Sequence, residues 1–237
     1  MKKLILLLTL ITATAVSAQQ WIDLDNSINL AYDPDYQEVI TTSGNQKYLV
    51  YTVNGNGVEG YVLRFNEYTK SWDEVGMGPF GVDISDLSIA SLGDKIYIGF
   101  SQVFSGAYTV MEIDGEDFNQ VGSFTPESGN ETVTITSNST NLFFFNSNNG
   151  DSRNILVEKF DGTNWTTELF ADAGALSNIT SFNKDQIHVT DSDIWILCGD
   201  GNDPAPDSLK LMKSVLGSDV LTAHASLAMD ASNYTIS

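Results

Sequence analysis

The sequence predicts an all-β fold built from four similar units of short antiparallel strands. One strand in each unit begins with an aromatic residue, and these aromatics are 49, 46 and 52 residues apart, at Tyr48, Tyr97, Phe143 and Trp195. An isoleucine stands eight residues before each aromatic, at Ile40, Ile89, Ile135 and Ile187. Two positions that keep the same offset in four copies indicate a repeat. A repeat is stronger evidence for the fold than the pattern of any single segment.

Each unit supplies four strands, here named A to D. Strand A carries the isoleucine and strand B the aromatic. Strand C ends in a large apolar residue, at Phe65, Ile113, Phe160 and Val215. Another large apolar residue follows five residues later in the last three units and seven later in the first, which predicts a longer turn there; these residues are Trp72, Phe118, Trp165 and Val220.

The apolar pattern of the strands distinguishes the middle of each unit from its edge. Strand B is apolar at consecutive positions, so both of its faces are expected to be buried. Strand D carries Asp73, Glu74, Asn119 and Glu168, as suits a sheet edge that must not pair with another chain. Four-stranded sheets covered on both faces by their neighbours are the blades of a β-propeller. A β-sandwich is the alternative, because it also has regularly spaced strands.

The chain opens with a predicted secretory signal peptide, residues 1–18. Lys2 and Lys3 precede an apolar run, and Val16-Ser17-Ala18 forms a small-residue cleavage site. The apolar run is too short to span a membrane. The residue directly after the cleavage point is Gln19 and not a cysteine, which argues against a lipoprotein anchor. The leader resembles those of Gram-negative bacteria. We therefore expect a protein that is secreted to the cell surface, the medium or the periplasm.

Residues 19–237 are predicted to form one propeller domain. Its units cover about 34–75, 82–122, 131–170 and 179–223. Residues 20–24 resemble an isolated strand D, and residues 227–237 resemble the start of a fifth unit because Ile236 falls at the expected isoleucine position. We expect an incomplete ring from a truncated reading frame, poorly soluble or oligomeric as it stands. The alternative is a four-bladed ring whose end strands pair directly.

The acidic composition excludes some classes of binding partner, and the single cysteine excludes a disulfide. Residues 19–237 contain 31 acidic and 9 basic residues, so the surface repels nucleic acids and anionic lipids. Cys198 is the only cysteine, so no internal disulfide forms, and its apolar strand predicts a buried small hydrophobe.

Two segments carry a resemblance to known propellers. IDGEDF (113–118) and FDGTNW (160–165) each place Asp-Gly before a strand, a tight-turn signal. They resemble the turns between strands C and D in secreted bacterial kelch-like and sialidase-like propellers. The adjacent Asp161 and Gly162 do not match the sialidase Asp-box, no unit has the paired glycine of kelch repeats, and Trp72-Asp73 lacks the Gly-His of WD40 repeats. The resemblance therefore implies a fold and no particular activity.

The loops between strands B and C are the most polar, and in a propeller they share one face. Their candidate ligand residues are Asn54, Asn56, Phe104, Asn146, Asn149 and Asp151. The last loop groups oxygen ligands that suit Ca²⁺, at Asp200, Asn202, Asp203 and Asp207. An ordinary polar loop is the alternative, since the EF-hand spacing is absent. No other cofactor is expected.

No catalytic constellation stands out. His188 and His224 are the only histidines, and His188, which lies in strand A of the fourth unit, is expected to be structural. No phosphate-binding loop or nucleophile elbow occurs. We expect a non-catalytic binding or scaffold module for an extracellular glycan or a surface protein, with no membrane insertion. One alternative is a fragment of a propeller enzyme that acts on extracellular polysaccharide, as a glycoside hydrolase or lyase. Another is a purely architectural part of the cell surface.

Overall fold

Sixteen strands in four separate sheets make up the part of the protein that the structure describes. The computed structural model describes residues 34–41, 44–54, 57–103, 107–125, 131–148, 154–171, 179–200, 208–218 and 220–228. The predicted signal peptide, the strand at 20–24 and residues 229–237 lie outside these ranges. All described residues belong to one compact unit, Tyr32–Ser237.

Each sheet has four antiparallel strands paired in chain order, and we call the sheets blades 1 to 4. Blade 1 contains β1 (Pro34–Thr41), β2 (Lys47–Asn54), β3 (Val58–Asn66) and β4 (Ser71–Val75). Blade 2 contains β5 (Ile84–Leu92), β6 (Lys95–Gln102), β7 (Tyr108–Asp114) and β8 (Asp117–Phe124). Blade 3 contains β9 (Glu131–Ser137), β10 (Leu142–Asn148), β11 (Asn154–Phe160) and β12 (Trp165–Ala171). Blade 4 contains β13 (Ile179–Val189), β14 (Asp193–Asp200), β15 (Ser208–Val215) and β16 (Thr222–Ala228).

The blades contact one another in chain order through their first strands. Strand β1 lies against β5, β5 against β9, and β9 against β13. These four first strands therefore form the inner side of the arrangement. Within the described ranges the blades make an arc, and the ring is not closed.

Three apolar clusters fill the spaces between blades. Blades 1 and 2 share a cluster around Val50, Leu87 and Ile98. Blades 2 and 3 share one around Tyr97, Tyr108 and Phe144, and blades 3 and 4 share one around Phe143, Phe145 and Ile196. The consecutive apolar residues of strand B are explained by this packing, because alternate side chains enter the clusters on opposite faces. Cys198 is buried in the last cluster, as the sequence predicts.

The four repeated aromatics occupy equivalent positions. Each is paired with a charged residue of strand C: Tyr48 with Arg64, Tyr97 with Glu112, Phe143 with Lys159, and Trp195 with Lys213. Tyr97 and Phe143 are buried, but Tyr48 and Trp195 are only half-buried. All four are expected to be largely buried between blades; Tyr97 and Phe143 are fully so, and Tyr48 packs less completely against the cluster that blades 1 and 2 share. Trp195 also keeps part of its ring in contact with water.

The predicted core positions of blade 4 are wrong by one residue. Ser214 pairs with Ile194 where the other blades place the apolar end of strand C, and Leu221 lies in the cluster with blade 3. Val215 and Val220, the predicted core residues, are exposed. A shift of one residue moves a strand residue to the other face, so the slip exchanges core for surface.

Glu168 corrects the edge-strand interpretation of strand D. Its side chain is only 5% exposed and forms an ion pair with Lys159 at 2.5 Å. It also accepts a hydrogen bond from the backbone N–H of Gly217 in blade 4. This carboxylate therefore links two blades and does not protect a sheet edge.

Candidate functional site

The predicted ligand-face residues fall mostly outside the described ranges. Asn54 ends β2 and Asp200 ends β14, while Asn146 lies within β10, between Val133 and Leu156 of its neighbours. Asn56, Phe104, Asn149, Asp151, Asn202, Asp203 and Asp207 lie outside the described residues. The predicted Ca²⁺ site is therefore not placed by the structure and stays a prediction.

A cleft of about 620 Å³ opens at the boundary between blades 1 and 2. One wall is the connection that follows β4, Gly76 to Pro79, and the other is the turn before β8 with the first residues of that strand, Glu116 to Phe118. The volume lies within the range of small-molecule sites, about 300–1,000 Å³. We call it the rim cleft.

Gly76 allows the two walls to approach each other. Its φ is +84°, a backbone conformation that residues other than glycine rarely adopt. A Cβ placed there would stand 2.6 Å from Cε2 of Phe118. The backbone of the first wall therefore lies directly on the aromatic ring of the second.

Glu116 ties the walls together electrostatically. Its Oε1 accepts a hydrogen bond from Nη2 of Arg64 at 2.8 Å, and its Oε2 accepts one from the Gly76 N–H at 3.0 Å. The Gly76 hydrogen bond, followed by the Arg64 guanidinium, lowers the pKa of the Glu116 carboxyl. The group is thus held ionised at the mouth of the cleft, next to the exposed Asp117.

The connection beside the cleft is anchored by Phe80. Its backbone N–H donates to the Gly60 carbonyl of β3 at 2.8 Å, and its ring contacts those of Phe100 and Phe118, with centroids 5.3 and 6.0 Å apart. A Cβ on Gly60 would stand 2.3 Å from Cζ of Phe80, so only glycine fits beneath this ring. A short loop with such anchors is organised before any ligand arrives.

The chemistry of the rim cleft combines an apolar surface with carboxylates. Phe118 is half-buried and Met77 is fully exposed, while Glu116 and Asp117 supply hydrogen-bond acceptors. Among the described residues, no group of three or more His, Cys, Asp or Glu side chains could hold a metal ion. The arrangement suits a ligand with hydroxyl or amine donors and an apolar face.

Sequence reasoning did not find this cleft. It identified 113–118 as a turn and a strand start, but it sought ligands on the loops between strands B and C. The available signal was Gly76-Met77-Gly78-Pro79, where a methionine stands between glycines in a connection between blades.

In the described residues no helix is long and apolar enough to cross a membrane.

Comparison with solved structures decides the fold. The chain superposes on a six-bladed fungal lectin from Aleuria aurantia, which recognises fucose, with a TM-score of 0.53 at 14% identity, over 79% of this chain and 59% of the lectin. It superposes on an ulvan lyase of polysaccharide lyase family 25 with a TM-score of 0.51 at 9% identity, over 81% of this chain and 55% of the lyase. The fold is a β-propeller.

The propeller spans little more than half the length of these two structures. No protein-family model matches the sequence, and no curated protein matches it. At identities of 9% and 14%, the likeness shows the fold alone.

Proposed function

We propose that this protein is a secreted or cell-surface propeller that binds glycans without modifying them, and that the rim cleft is a binding site. The observation that carries the proposal is the juxtaposition of Phe118 and Met77 with the carboxylates of Glu116 and Asp117. A sugar ring has an apolar face of C–H groups and a rim of hydroxyls. Hydroxyls that donate to carboxylates form charge-assisted hydrogen bonds, which are stronger than neutral ones.

The fold neighbours support a carbohydrate ligand over other small molecules. One is a lectin with a fucose recognition mode, and the other is a polysaccharide lyase. Both use the β-propeller, although a shared fold by itself leaves the function open.

The charge of the cleft selects among saccharides. Glu116 is ionised, Asp117 is exposed, and the whole chain has a formal net charge of −20. Uronates and sulfate esters would meet like charges at close range, which is unfavourable. The cleft is therefore assigned to neutral sugars or amino sugars.

A glycan array followed by calorimetry tests the proposal. The array contains neutral, amino-bearing and acidic oligosaccharides, and the best neutral or amino-bearing ligand is titrated into the full chain and its variants. Met77→Ala and Asp117→Asn should each weaken binding about three- to tenfold, because each removes one contact of modest strength. Both side chains are exposed, so the fold should be unaffected.

Tyr68→Ala is the matched control. Tyr68 is 96% exposed in the turn between β3 and β4, and it does not line the rim cleft. Its removal should leave the affinity unchanged. An array without neutral or amino-sugar binders, or a binder whose affinity is insensitive to both cleft variants, would overturn the assignment.

A further inference from the structure

The outer face of blade 4 differs from the same face of the preceding blades. The strand register makes Trp195 equivalent to Tyr48, Tyr97 and Phe143. All three rings pack into the clusters shared with the following blade, where Tyr97 and Phe143 are buried and Tyr48 is half-buried. Trp195 is half-buried and lies on the face of blade 4 that points away from blade 3.

Ionisable side chains surround this indole. The imidazole of His224 meets it edge-on, with ring centroids 4.9 Å apart and an interplanar angle of 89°. The Nζ of Lys213 lies 4.8 Å from the indole centroid and 3.0 Å from Oδ1 of Asp193. His188 is the cross-strand partner of Trp195 on β13, which places the two side chains on one face, about 5 Å apart at Cβ. We call these five residues the Trp195 surface.

The Trp195 surface gathers hydrogen-bond-donating groups on a strongly acidic protein, and its one ammonium, on Lys213, is paired with the Asp193 carboxylate. It contains both histidines of the chain and one of its 11 lysines and arginines. A lysine ammonium has three N–H donors, and each imidazole has at least one. Exposed charges farther away than about 8 Å are largely screened at physiological ionic strength, so the local groups outweigh the distant acidic surface.

The side chains at these positions also differ from those of the preceding blades. His188 occupies the position held by Ile40, Ala90 and Thr136, opposite the equivalent aromatics of blades 1, 2 and 3. Blade 4 therefore places an imidazole where the other three blades have apolar or small side chains.

We propose that the Trp195 surface binds saccharides that carry carboxylate or sulfate groups. The exposed part of the indole stacks against the sugar ring, as aromatic faces do with flat apolar surfaces. Lys213, His188 and His224 donate hydrogen bonds to the anionic group, and the Lys213 ammonium is shared between that group and the Asp193 carboxylate. This site is separate from the rim cleft, and its ligand has the opposite charge preference.

Two anionic polysaccharides and one neutral one test the proposal. Polygalacturonate oligomers supply carboxylates, heparin oligomers supply mainly sulfates, and a dextran oligomer supplies neither. Binding is followed through tryptophan fluorescence and calorimetry with the full chain. At least one anionic oligomer should bind, and Trp195→Ala should weaken that binding about tenfold, while Lys213→Met should weaken it about fivefold.

Three further variants make the result specific. His188→Gln and His224→Gln keep a hydrogen-bonding group of similar size, so they test the surface if Trp195→Ala fails to fold. Each should weaken anionic binding severalfold. Met77→Ala alters only the rim cleft and should leave anionic binding unchanged, so the failure of one site is distinguishable from the failure of the other.

Several outcomes would overturn the proposal. One is that neither anionic oligomer binds, and another is that binding is equal in the native protein and in both the Trp195→Ala and Lys213→Met variants. A third is found by light scattering, if the protein forms a dimer that Trp195→Ala dissociates. In that case the Trp195 surface is an interface between copies of this chain.

Discussion

Replacement of Phe143 by alanine tests whether the packing between blades stabilises the protein. The Phe143 ring is fully buried in the cluster that joins blades 3 and 4. An aromatic side chain buries about 150–250 Å², and the cavity left by truncation adds to the lost transfer free energy. We expect Phe143→Ala to lower the free energy of unfolding by about 3–5 kcal/mol.

Trp195→Ala provides an internal comparison at the equivalent position of blade 4. The Trp195 ring is half-buried and has no following blade among the described residues. Its removal should cost less, about 2 kcal/mol, because part of the indole is already in contact with water. The two variants thus remove similar side chains from the same register position and differ mainly in coverage.

Urea unfolding followed by near-ultraviolet and far-ultraviolet circular dichroism measures both costs. Coincidence of the two signals establishes that one cooperative transition is being analysed. Equal destabilisation by Phe143→Ala and Trp195→Ala would refute the reasoning, because coverage by the next blade would then make no difference. A cost below about 1 kcal/mol for Phe143→Ala would refute the burial itself.

Three other substitutions probe contacts within and between blades. Gly99→Ala would place a Cβ 2.3 Å from Oη of the buried Tyr108 and should cost about 1–3 kcal/mol in urea unfolding; the cost should be smaller in a Tyr108→Phe background, where that oxygen is gone. Glu168→Gln removes the buried partner of an ion pair and should cost about 1–3 kcal/mol in the same assay, and a neutral effect would contradict its role as a link. Glu116 has a folded-state pKa below its usual 4.5, so its stabilising link is complete above that value and is lost as the pH falls through the lowered pKa. An acid titration of the Glu116→Gln variant should therefore show a weaker loss of stability below pH 4.5 than the native protein shows.

The sequence predicts the propeller fold well because the strongest signal in the chain is repeated. Strand B is apolar at consecutive positions in each unit, since both faces meet a neighbour, and this pattern survives changes of individual residues. Tyr97 and Phe143 are buried as the repeat predicts. Tyr48 and Trp195, in the first and last described blades, keep part of their rings in contact with water.

The strand register explains why the predicted core positions of blade 4 are wrong by one residue. Val215 and Val220 have the spacing seen in the other units, but the register of β14 with β15 places Ser214 and Leu221 at the packed positions. Nothing in the spacing of valines distinguishes the two registers. A buried serine at a position that is usually apolar is satisfied locally, because its hydroxyl donates to the Ser218 carbonyl at 2.9 Å.

The rim cleft could not be predicted, because its residues meet only after two blades have packed. Glu116 is 52 residues from Arg64 and 40 from Gly76, and no sequence pattern connects the three. The predicted ligand loops were chosen for their polarity, which is a property of most loops. Concavity, which separates a site from an ordinary loop, is a property of the assembled fold.

The polar links between blades suggest how one architecture accommodates different surfaces. A bulge in strand D leaves one residue unpaired in blades 2, 3 and 4. In blade 2 it is Val121, whose carbonyl accepts a hydrogen bond from Nε1 of Trp165, and in blade 3 it is Glu168, which accepts one from the next blade. In blade 4 it is His224, which packs against Trp195 of its own blade.

The backbone bulge is therefore kept while its side chain changes from valine to glutamate to histidine. Where a blade follows, the bulge residue accepts a hydrogen bond from that blade, with a carbonyl in one case and a carboxylate in the other. The first two bulge residues accept hydrogen bonds from donors of the next blade. The imidazole at the third position adds an N–H donor of its own, and a donor suits an anionic group. The acceptor of Val121 is a backbone carbonyl, which His224 also has, so the difference lies between the side chains of blades 3 and 4. The change from a carboxylate to an imidazole, at a position that in blade 3 joins blade to blade, is the reason to look for an external anion at blade 4.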